Sequence, residues 1–347
     1  MKGCILAVET SCDETAAALL KDGQIIAEQV HTQADLHGYY GGVVPELASR
    51  DHVAHVGAVC QSVLTGYEDQ LDLIAATRGP GLIGGLLVGL QWAKGYAFSR
   101  GLPFVGVHHL AGHLAAPLLD PAFDLEPPMV CLLISGGHTQ IYAIERWGSA
   151  QLIGATRDDA AGEAFDKGAR LLHLGYPGGP AIQRTAAEHT GAHHRLPRPM
   201  LRRGLEMSFS GLKTALRDEI FRRHPEGDLA LHDQRELAFA LQDAIVDVLV
   251  HKACAALELT GYKKLTIGGG VAANQPLRDA LSAAAERKGF SCYLPPKKWC
   301  TDNAAMIAAA ASIRYQSHGA DPFDLPARAR WPLVEEWPSE RSEQPTS

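Results

Sequence analysis

The hydrophobic and polar positions of this chain follow the same order twice. Each block begins with three short apolar runs separated by polar turns, which predicts three strands, and continues with helical spacings that alternate with further apolar runs. In the first block the predicted strands are residues 4–9, 15–20, 24–30, 71–77 and 103–107, and the helices residues 45–64 and 82–99. In the second block the predicted strands are residues 129–134, 140–145, 151–155, 265–267 and 290–294, and the helices residues 162–174, 179–189, 233–259 and 272–288. The repetition predicts a duplicated α/β unit.

A linker and a tail set the predicted domain boundaries. Residues 120–128 contain three prolines and separate the two blocks. We therefore predict an N-terminal subdomain over residues 1–125 and a C-terminal subdomain over residues 126–325, which ends with an Ala-rich helix at residues 302–317. The remaining residues, 326–347, are rich in Pro, Glu and Ser, a composition that predicts a flexible tail.

Composition narrows the class of protein. A chain of 347 residues predicts about two domains. A net charge of −7 argues against a surface that coats nucleic acid or anionic membranes, but it allows a local basic patch. The seven cysteines include no CxxC pair, as a reducing compartment tolerates. Glu9 interrupts the first apolar run too early for a signal peptide, and no run approaches the roughly 20 apolar residues of a membrane span. We expect a soluble cytoplasmic protein.

The first candidate for chemistry is a pair of histidines after the predicted strand at residues 103–107. His109 and His113 are four residues apart, so on a helix they lie on one face and can bind a metal ion if a third ligand arrives. With 16 histidines in the chain, such a pair also arises by chance. Leu110 follows the first His, so the general base of an HExxH zinc peptidase is missing. Asp302 is an ordinary helix N-terminal residue unless the fold brings it to this pair.

Glycine-rich turns follow two of the predicted strands. The SGGHT sequence at residues 135–139 and the GGG sequence at residues 268–270 let backbone N–H groups approach an anion. The second lacks the spacing of GxGxxG and the lysine of a P-loop. For the first, a tight turn without a ligand is an equal alternative. Three consecutive glycines are costly to order, which favours ligand contact at the second.

Carboxylates accompany these turns. An acidic cluster at residues 158–166, which includes Asp166, precedes another backbone-exposing loop at residues 175–180. A carboxylate in that position can bind ribose hydroxyls or a metal ion, or it can simply favour a helix N-terminus. Glu9 and Asp13 flank the first polar turn, where they either hold metal-bound water or are solvated.

A local basic zone lies in this acidic chain. It either is a solvated surface or contacts a phosphate backbone. Its residues are His193, His194, Arg195, Arg198, Arg202, Arg203 and Lys213.

Together these motifs occur in the order of one known family. They are AVETSCDET at residues 7–15, YGGVVPELASR at 40–50, GPGL at 79–82, the histidine pair, ISGGHT at 134–139, GYPGGP at 175–180, SFSGLKT at 208–214, GGGVAAN at 268–274 and TDN at 301–303. From about residue 5 to residue 317 the chain resembles the bacterial form of the TsaD family, also called Gcp or YgjD. This family makes threonylcarbamoyladenosine in tRNA and was once described as an O-sialoglycoprotein endopeptidase.

The resemblance implies a fold and two ligand sites. The fold is α/β, of the actin, hexokinase and heat-shock-ATPase (ASKHA) class, with two RNase H-like subdomains around a central cleft. One divalent metal ion per subunit, iron in preference to zinc, would be held by His109, His113 and Asp302. Where relatives commonly have Glu, this chain has Ala111, which is not a metal ligand. The implied site for the adenylate substrate comprises Leu133, Ile134, Ser135, Gly136, Gly137, Asp166, Gly179 and Asn274.

The resemblance also implies a metal-dependent transfer reaction. The threonylcarbamoyl group would move from threonylcarbamoyl-AMP to the exocyclic amine of the adenosine 3′ of the anticodon, in tRNAs that read codons beginning with A. Asp13, Glu14 and His138 are candidates for a general base, and none is singled out. The implied partners are tRNA, a paralogous ASKHA-fold subunit and a small P-loop ATPase. The alternative functions are an ATP-binding adaptor of the same fold and a metallopeptidase.

Overall fold

A computed structural model describes residues 3–227 and 229–339 and divides the chain into two compact units. The first unit comprises Met1–Asp124, Glu145–Gln151 and Pro295–Ser347, and the second comprises Leu125–Ile144 and Leu152–Leu294. This division differs from the predicted boundaries, because residues 295–325 belong to the first unit and not to a C-terminal subdomain. The chain therefore returns to its first unit after completing the second.

Within the described residues, two five-stranded sheets have the same strand order. The strands are β1 (Cys4–Glu9), β2 (Glu14–Lys21), β3 (Gln24–Thr32), β4 (Leu73–Gly79), β5 (Phe104–His108), β6 (Met129–Ile134), β7 (Thr139–Arg146), β8 (Ser149–Ala155), β9 (Lys264–Gly268) and β10 (Ser291–Tyr293). The first sheet has the order β3-β2-β1-β4-β5 and the second β8-β7-β6-β9-β10. In both sheets the first strand runs antiparallel to the second and parallel to the fourth. The predicted duplication is confirmed, and this order is the RNase H-like one that the resemblance implies.

The helices pack on these sheets. They are α1 (Ala34–Gly38), α2 (Pro45–Leu64), α3 (Ile83–Arg100), α4 (His109–Ala115), α5 (Ala161–Leu171), α6 (Gly178–Ala186), α7 (Ser210–Arg223), α8 (Leu231–Thr260), α9 (Gln275–Lys288) and α10 (Ala304–His318). Helix α7 was not predicted, because most of its residues are polar and Leu212 and Leu216 are its only buried apolar side chains. None of the described helices is long and apolar enough to cross a membrane.

The core of the first unit surrounds its central strand. All six residues of β1 are buried, without the alternation of a half-exposed strand, because both faces of the sheet are covered. Helices α2 and α3 pack against β2 and β4, and α10 packs against β1, β2 and β5. Residues 308–311 of α10 are four buried alanines, whose small side chains let this helix approach the sheet closely. Its N-terminus is thereby held at the end of the first sheet's parallel strands.

The C-terminal segment is packed and not flexible as far as the structure describes it. Trp331, Leu333 and Trp337 are buried. The preceding residues cover the edge strand β5, since the N–H of Gly106 donates to the Asp321 carboxylate at 2.9 Å. Edge strands that are covered in this way are protected from unwanted pairing. The predicted flexible tail therefore does not describe residues 326–339, while residues 340–347 lie outside the described residues.

A network of charged side chains joins α7 and α8 in the second unit. Arg223 donates to Glu219 at 2.7 Å and to Asp233 and Glu236 at 2.6 and 2.8 Å. Hydrogen bonds from Arg222 and Arg223 lower the pKa of Glu219 to about 2, and those from Arg223 lower the pKa of Glu236 to about 2. Both carboxylates are therefore more stable as anions in the folded state than in the unfolded chain.

This network predicts a loss of stability in acid. The stabilisation from Glu219 is complete above the unfolded carboxyl pKa of about 4.3 and disappears as the pH falls towards 2, because folding then no longer favours the anion. We expect Glu219→Gln to lower the free energy of unfolding by about 2–3 kcal/mol at pH 7, and by progressively less below pH 4. Urea unfolding across this pH range measures the difference. Glu258→Gln, which removes an exposed partner of Lys288, is the control and should change little. If the difference in free energy of unfolding between the intact chain and Glu219→Gln stayed constant with pH, the lowered pKa of Glu219 would be contradicted.

Candidate functional site

The histidine pair lies on a short helix whose start is fixed by a third histidine. His108 ends β5, and its Nδ1 accepts a hydrogen bond from the backbone N–H of Leu110 at 3.1 Å, which caps α4. Its Nε2 lies 2.8 Å from the backbone oxygen of Trp331, to which it donates. The C-terminal segment thus supports the first turn of α4, although the sequence prediction assigned it no structural role.

Helix α4 packs against α10 at a glycine. A Cβ on Gly112 would lie 2.9 Å from Cδ1 of Ile307 and 3.1 Å from Cγ of Met306, so a larger residue would push the two helices apart. Asn303 caps α10 by accepting from the N–H of Met306 at 2.8 Å. Asp302 directly precedes this cap. The close packing of α4 on α10 therefore decides where the Asp302 carboxylate lies.

The three predicted metal ligands converge in the first unit. Nε2 of His109 lies 3.5 Å and Nε2 of His113 3.1 Å from Oδ1 of Asp302. The two imidazole rings are nearly perpendicular, with centroids 4.9 Å apart. Both histidines are buried, and Asp302 is partly exposed. The helical spacing of the pair is confirmed, and packing supplies the acidic residue.

The surroundings of His109 orient its ring. Its Nδ1 lies 3.0 Å from Oε2 of Glu9 and 3.1 Å from Oγ of Ser11. Glu9 is almost fully buried and also accepts from Oγ1 of Thr77 at 2.6 Å and from the backbone N–H of Ser11. A carboxylate on the second ring nitrogen fixes the tautomer in which Nε2 carries a free lone pair. The sequence prediction placed Glu9 at this turn but did not identify its contact with His109.

Negative charge dominates the site. Burial alone would lower the pKa of His109, but the carboxylates of Asp302 and Glu9 raise that pKa to about 9. Burial, with the charges of Asp302 and Asp13, raises the pKa of Glu14 well above its ordinary range. Carboxylates therefore raise the pKa of both a histidine and another carboxyl, and such a site favours a bound cation.

The donor set fits a metal ion. Among the described residues, neither ring nitrogen of His113 has a hydrogen-bond partner, and the 3.1 Å contact of its Nε2 with Asp302 lacks hydrogen-bond geometry. Buried polar atoms seldom remain unpaired, so a ligand that accepts this lone pair is expected. Two imidazoles and one carboxylate are ligands that zinc and iron both accept.

Other groups of histidine and carboxylate side chains are less suited to a metal ion. In the group of His232, Asp233 and Glu236, both carboxylates are already paired with Arg223. In the group of His31, Asp51 and His55, the two rings stack at 3.8 Å with an angle of 19° and hydrogen-bond to Asp51. Nearly parallel rings direct their lone pairs side by side and not towards one point.

The two glycine-rich turns of the second unit meet at one edge of its sheet. Because β6 and β9 are parallel neighbours, the turns at their carboxyl ends lie side by side. Gly269 has a φ of +85°, and a Cβ there would lie 2.4 Å from the backbone oxygen of Ile134. Leu133 and Ile134 are fully buried, so only their backbone could serve a ligand. Gly136 and Gly137 are exposed, with open space where a Cβ would be.

Helix α5 closes the first of these turns. The backbone N–H of Ser135 donates to the oxygen of His138 at 2.7 Å, and Oγ of Ser135 accepts from the N–H of His138 at 3.0 Å. The N–H of Gly162 donates to the oxygen of Ser135 at 3.3 Å. A Cβ on Gly162 would meet this oxygen at 2.6 Å, so glycine is required for the contact. The turn is thus ordered, while Gly136 and Gly137 remain accessible.

The other predicted adenylate residues lie at or against helix starts in the same unit. Asp166 accepts from the N–H of Gly178 at 2.8 Å, at the first residue of α6, and the next residue, Gly179, borders open space. Asn274 caps α9 by accepting from the N–H of Leu277 at 3.1 Å, and it donates to Gln242 at 3.0 Å. Both polar atoms of the Asn274 side chain therefore form hydrogen bonds within the protein.

The candidates for a general base lie in the first turn of each sheet. Asp13 and Glu14 stand where β2 begins, and the backbone oxygen of Asp13 accepts from the N–H of Gln33 at 3.0 Å. His138 directly precedes β7. None of these contacts singles out one of the three.

Comparison with known proteins places the chain among tRNA-modifying enzymes. The sequence model of one family, TsaD (tRNA N6-adenosine threonylcarbamoyltransferase), matches residues 24–309. A tRNA N6-adenosine threonylcarbamoyltransferase of Bordetella petrii is 48% identical, over 95% of this chain and 97% of that protein. A protein of the same name from Paracidovorax citrulli is 47% identical, over the same shares of the two chains.

A solved structure supports the fold. Full-length HypF, in its phosphate- and nucleotide-bound form, matches with a TM-score of 0.60 and 14% identity, over 92% of this chain and 47% of that chain. At this identity the likeness concerns the fold alone. The predicted ASKHA fold class is confirmed.

The contact between Glu9 and His109 predicts an effect on metal affinity. We expect Glu9→Gln to keep the fold but to weaken metal binding about 10- to 100-fold, because an amide orients the imidazole less well and adds no charge. Titration of the metal-free protein with Zn²⁺ against a chelator measures the dissociation constant. Asp69→Asn, at an exposed carboxylate of the same unit, is the control. An unchanged affinity in Glu9→Gln would show that this contact does not support a metal ion.

Two neighbouring glycines should differ in how far replacement by alanine lowers stability. Gly269→Ala should lower the free energy of unfolding by about 1–3 kcal/mol, because its Cβ meets backbone and its φ is positive. Gly270→Ala meets nothing within 4 Å and should change stability by less than about 0.5 kcal/mol. Because the added methyl group would enter the open space beside the turn, Gly270→Ala should nevertheless weaken AMP binding, measured by calorimetry. Unchanged AMP binding in this stable variant would remove the turn from the adenylate site.

Proposed function

The chain belongs to the TsaD family of tRNA N6-adenosine threonylcarbamoyltransferases, and from this premise we propose how its residues serve the reaction. The protein is a transferase with tRNA as its substrate. It transfers the threonylcarbamoyl group from threonylcarbamoyl-AMP to the exocyclic amine of the adenosine 3′ of the anticodon, in tRNAs that read codons beginning with A. The names of the relatives favour this activity over an adaptor or a metallopeptidase.

The chemical step needs an electrophilic carbonyl in a fixed orientation. The lone pair of the adenine amine attacks the carbonyl carbon and forms the new C–N bond. The bond from that carbon to the phosphate oxygen breaks, AMP leaves with the electron pair, and the amine loses its proton to water or to one of the candidate bases Asp13, Glu14 and His138. The amine is a weak nucleophile, but the mixed anhydride already has a good leaving group. Positioning can therefore supply much of the acceleration.

We propose that His109, His113 and Asp302 hold one divalent metal ion, iron in preference to zinc. Such an ion, when bound, supplies Lewis-acid polarisation of the threonylcarbamoyl group and a fixed point for its orientation. Glu9 and Ser11 hold the His109 imidazole in the required tautomer. The observation that supports this site best is the convergence of three ligand side chains, one of which, the buried His113, has no hydrogen-bond partner among the described residues.

In the second unit, we propose that the two glycine-rich turns hold the AMP group. The exposed backbone of Gly136 and Gly137 offers N–H groups for phosphate, as does the start of α6 at Gly179. Asp166 would accept ribose hydroxyls, since a carboxylate can accept more hydrogen bonds than the one from Gly178. Leu133, Ile134 and Asn274 would shape these turns through the backbone and the α9 cap.

We further propose that the chain works with partner proteins in the cytoplasm, where its tRNA substrate is found. The partners would be a paralogous subunit of the same fold and a small P-loop ATPase, as the resemblance to the bacterial family implies. The assay of activity should therefore contain these proteins.

Transfer of labelled threonylcarbamoyl from its adenylate to unmodified tRNA tests the function. We expect the intact chain with its partners to label the tRNA, and the His109→Ala/His113→Ala variant to be at least about a thousandfold slower, because several kcal/mol of carbonyl polarisation are lost. The control is His251→Ala/His318→Ala, which removes two exposed histidines.

The outcomes separate the function from the site. Full transfer by the His109→Ala/His113→Ala variant would make this pair structural. Absence of transfer by the intact chain, with active partners, would contradict the transferase function and favour the adaptor.

A further inference from the structure

The basic zone of the second unit contains an ordered loop, residues 195–204, which we call the basic loop. Its backbone is held by Lys252 of α8, whose side chain is fully buried. The Lys252 ammonium donates to the backbone oxygens of Met200 at 2.7 Å, Gly204 at 2.8 Å and Arg203 at 3.3 Å. Burying an ammonium group is costly unless its hydrogen bonds are satisfied, and here three carbonyls of one loop satisfy them. The loop is therefore held in one conformation.

One arginine of the loop, Arg198, forms a second anchor and is not part of the exposed basic surface. Arg198 is turned inward, with a side chain that is 8% exposed, and pairs with Asp243 and with Asp247 at 2.9 Å. It also donates to the backbone oxygen of Leu196 at 2.7 Å. The sequence placed Arg198 in the same group as its basic neighbours, but the structure assigns it to folding.

The remaining cations of the loop have no such partners. Arg195, Arg202 and Arg203 are exposed, and within the part of the chain that the structure describes their guanidinium groups make no ion pair or hydrogen bond. Lys213 is exposed in the same way on α7. The start of α7 lies beside the loop, because a Cβ on Gly211 would be 3.8 Å from the ring of Pro199.

Among the described residues, the carboxylates near this surface already have partners. Asp243 and Asp247 are paired with Arg198, Glu206 is paired with Arg157, and Asp158 accepts hydrogen bonds from Ser208 and Ser210. From residue 192 to residue 213 the chain has five Arg or Lys residues and one Glu, in a protein with a net charge of −7. A chain that is acidic overall can attract a polyanion only where positive charge is concentrated and left unpaired.

We propose that Arg195, Arg202, Arg203 and Lys213 contact the phosphate backbone of the tRNA substrate. This proposal rests on the proposed function, which requires a tRNA to be held. Guanidinium groups match phosphate in geometry and charge, and a loop already ordered by Lys252 loses little further entropy on binding. Contacts of this kind give affinity and register without reading sequence.

Binding of unmodified tRNA at several salt concentrations tests the proposal. For Arg195→Gln/Arg202→Gln/Arg203→Gln we expect the dissociation constant to rise roughly 10- to 100-fold near 0.15 M salt. The slope of log affinity against log salt should become shallower by about 2, since each lost phosphate contact removes about 0.7 to 0.9. In the transfer assay, KM for tRNA should rise by a similar factor, with kcat nearly unchanged at saturating tRNA.

Two matched variants distinguish local contact from general charge. Lys21→Gln/Arg100→Gln/Lys263→Gln removes the same total charge elsewhere and should leave the tRNA affinity within about twofold. Replacing the three loop arginines with lysine should restore most of the salt slope, because the charge returns. Thermal unfolding of every variant shows whether the fold is kept.

The results that would overturn the proposal are distinct from failure of the function. An unchanged dissociation constant and slope in the folded glutamine variant would exclude the basic loop as a tRNA contact, even if transfer proceeds. Loss of partner-protein binding without tRNA, at an unchanged salt slope, would make the loop a protein interface. If the intact chain binds tRNA through the loop but transfers nothing, the proposed function fails, while the assignment of the loop as a tRNA contact stands.

Discussion

The buried pair of Glu9 and His109 is the interaction on which the candidate metal centre depends. A carboxylate that is almost fully buried must be paired and hydrogen-bonded, and Glu9 meets this requirement through His109, Thr77 and Ser11. These contacts join the end of β1 to β4 and to α4. They also leave Nε2 of His109 directed towards Asp302. The hydrogen bonds that satisfy the buried Glu9 carboxylate therefore also orient His109 as a metal ligand.

Close backbone approaches play the corresponding role in the second unit. Gly162 lies against Ser135, Gly178 against Asp166, and Gly269 against Ile134, each at a distance that no Cβ would permit. These glycines bring the start of α5 to the turn after β6, the start of α6 to α5, and the end of β9 to the end of β6. The accessible glycines beside them, such as Gly136, border open space where a ligand's phosphate could approach. Some glycines in these motifs therefore allow close backbone packing, and others leave the backbone accessible to a ligand. The neighbouring residues decide which of the two applies.

Prediction from the sequence succeeded where a local pattern carried the information. The strand order repeats because the polar turns and apolar runs repeat, and the His109 and His113 spacing needs only a helix. Prediction failed for α7, whose buried stripe is narrow, and for the C-terminal segment, whose polar composition hid the buried Trp331 and Trp337. A few large apolar side chains can dock a segment whose average composition indicates disorder.

The sequence by itself therefore determined the duplicated α/β pattern, the helical face shared by two histidines and the family to which the chain is similar. Local spacing did not place Asp302 at this pair; the family resemblance implied it and the tertiary structure shows it. Only the tertiary structure decided that Glu9 orients His109. It likewise separated Arg198, which is buried against two aspartates, from Arg202, which is exposed. The reason is physical: periodicity reports which residues share a face of one element. Proximity across a hundred or more residues depends on packing, which no local spacing encodes.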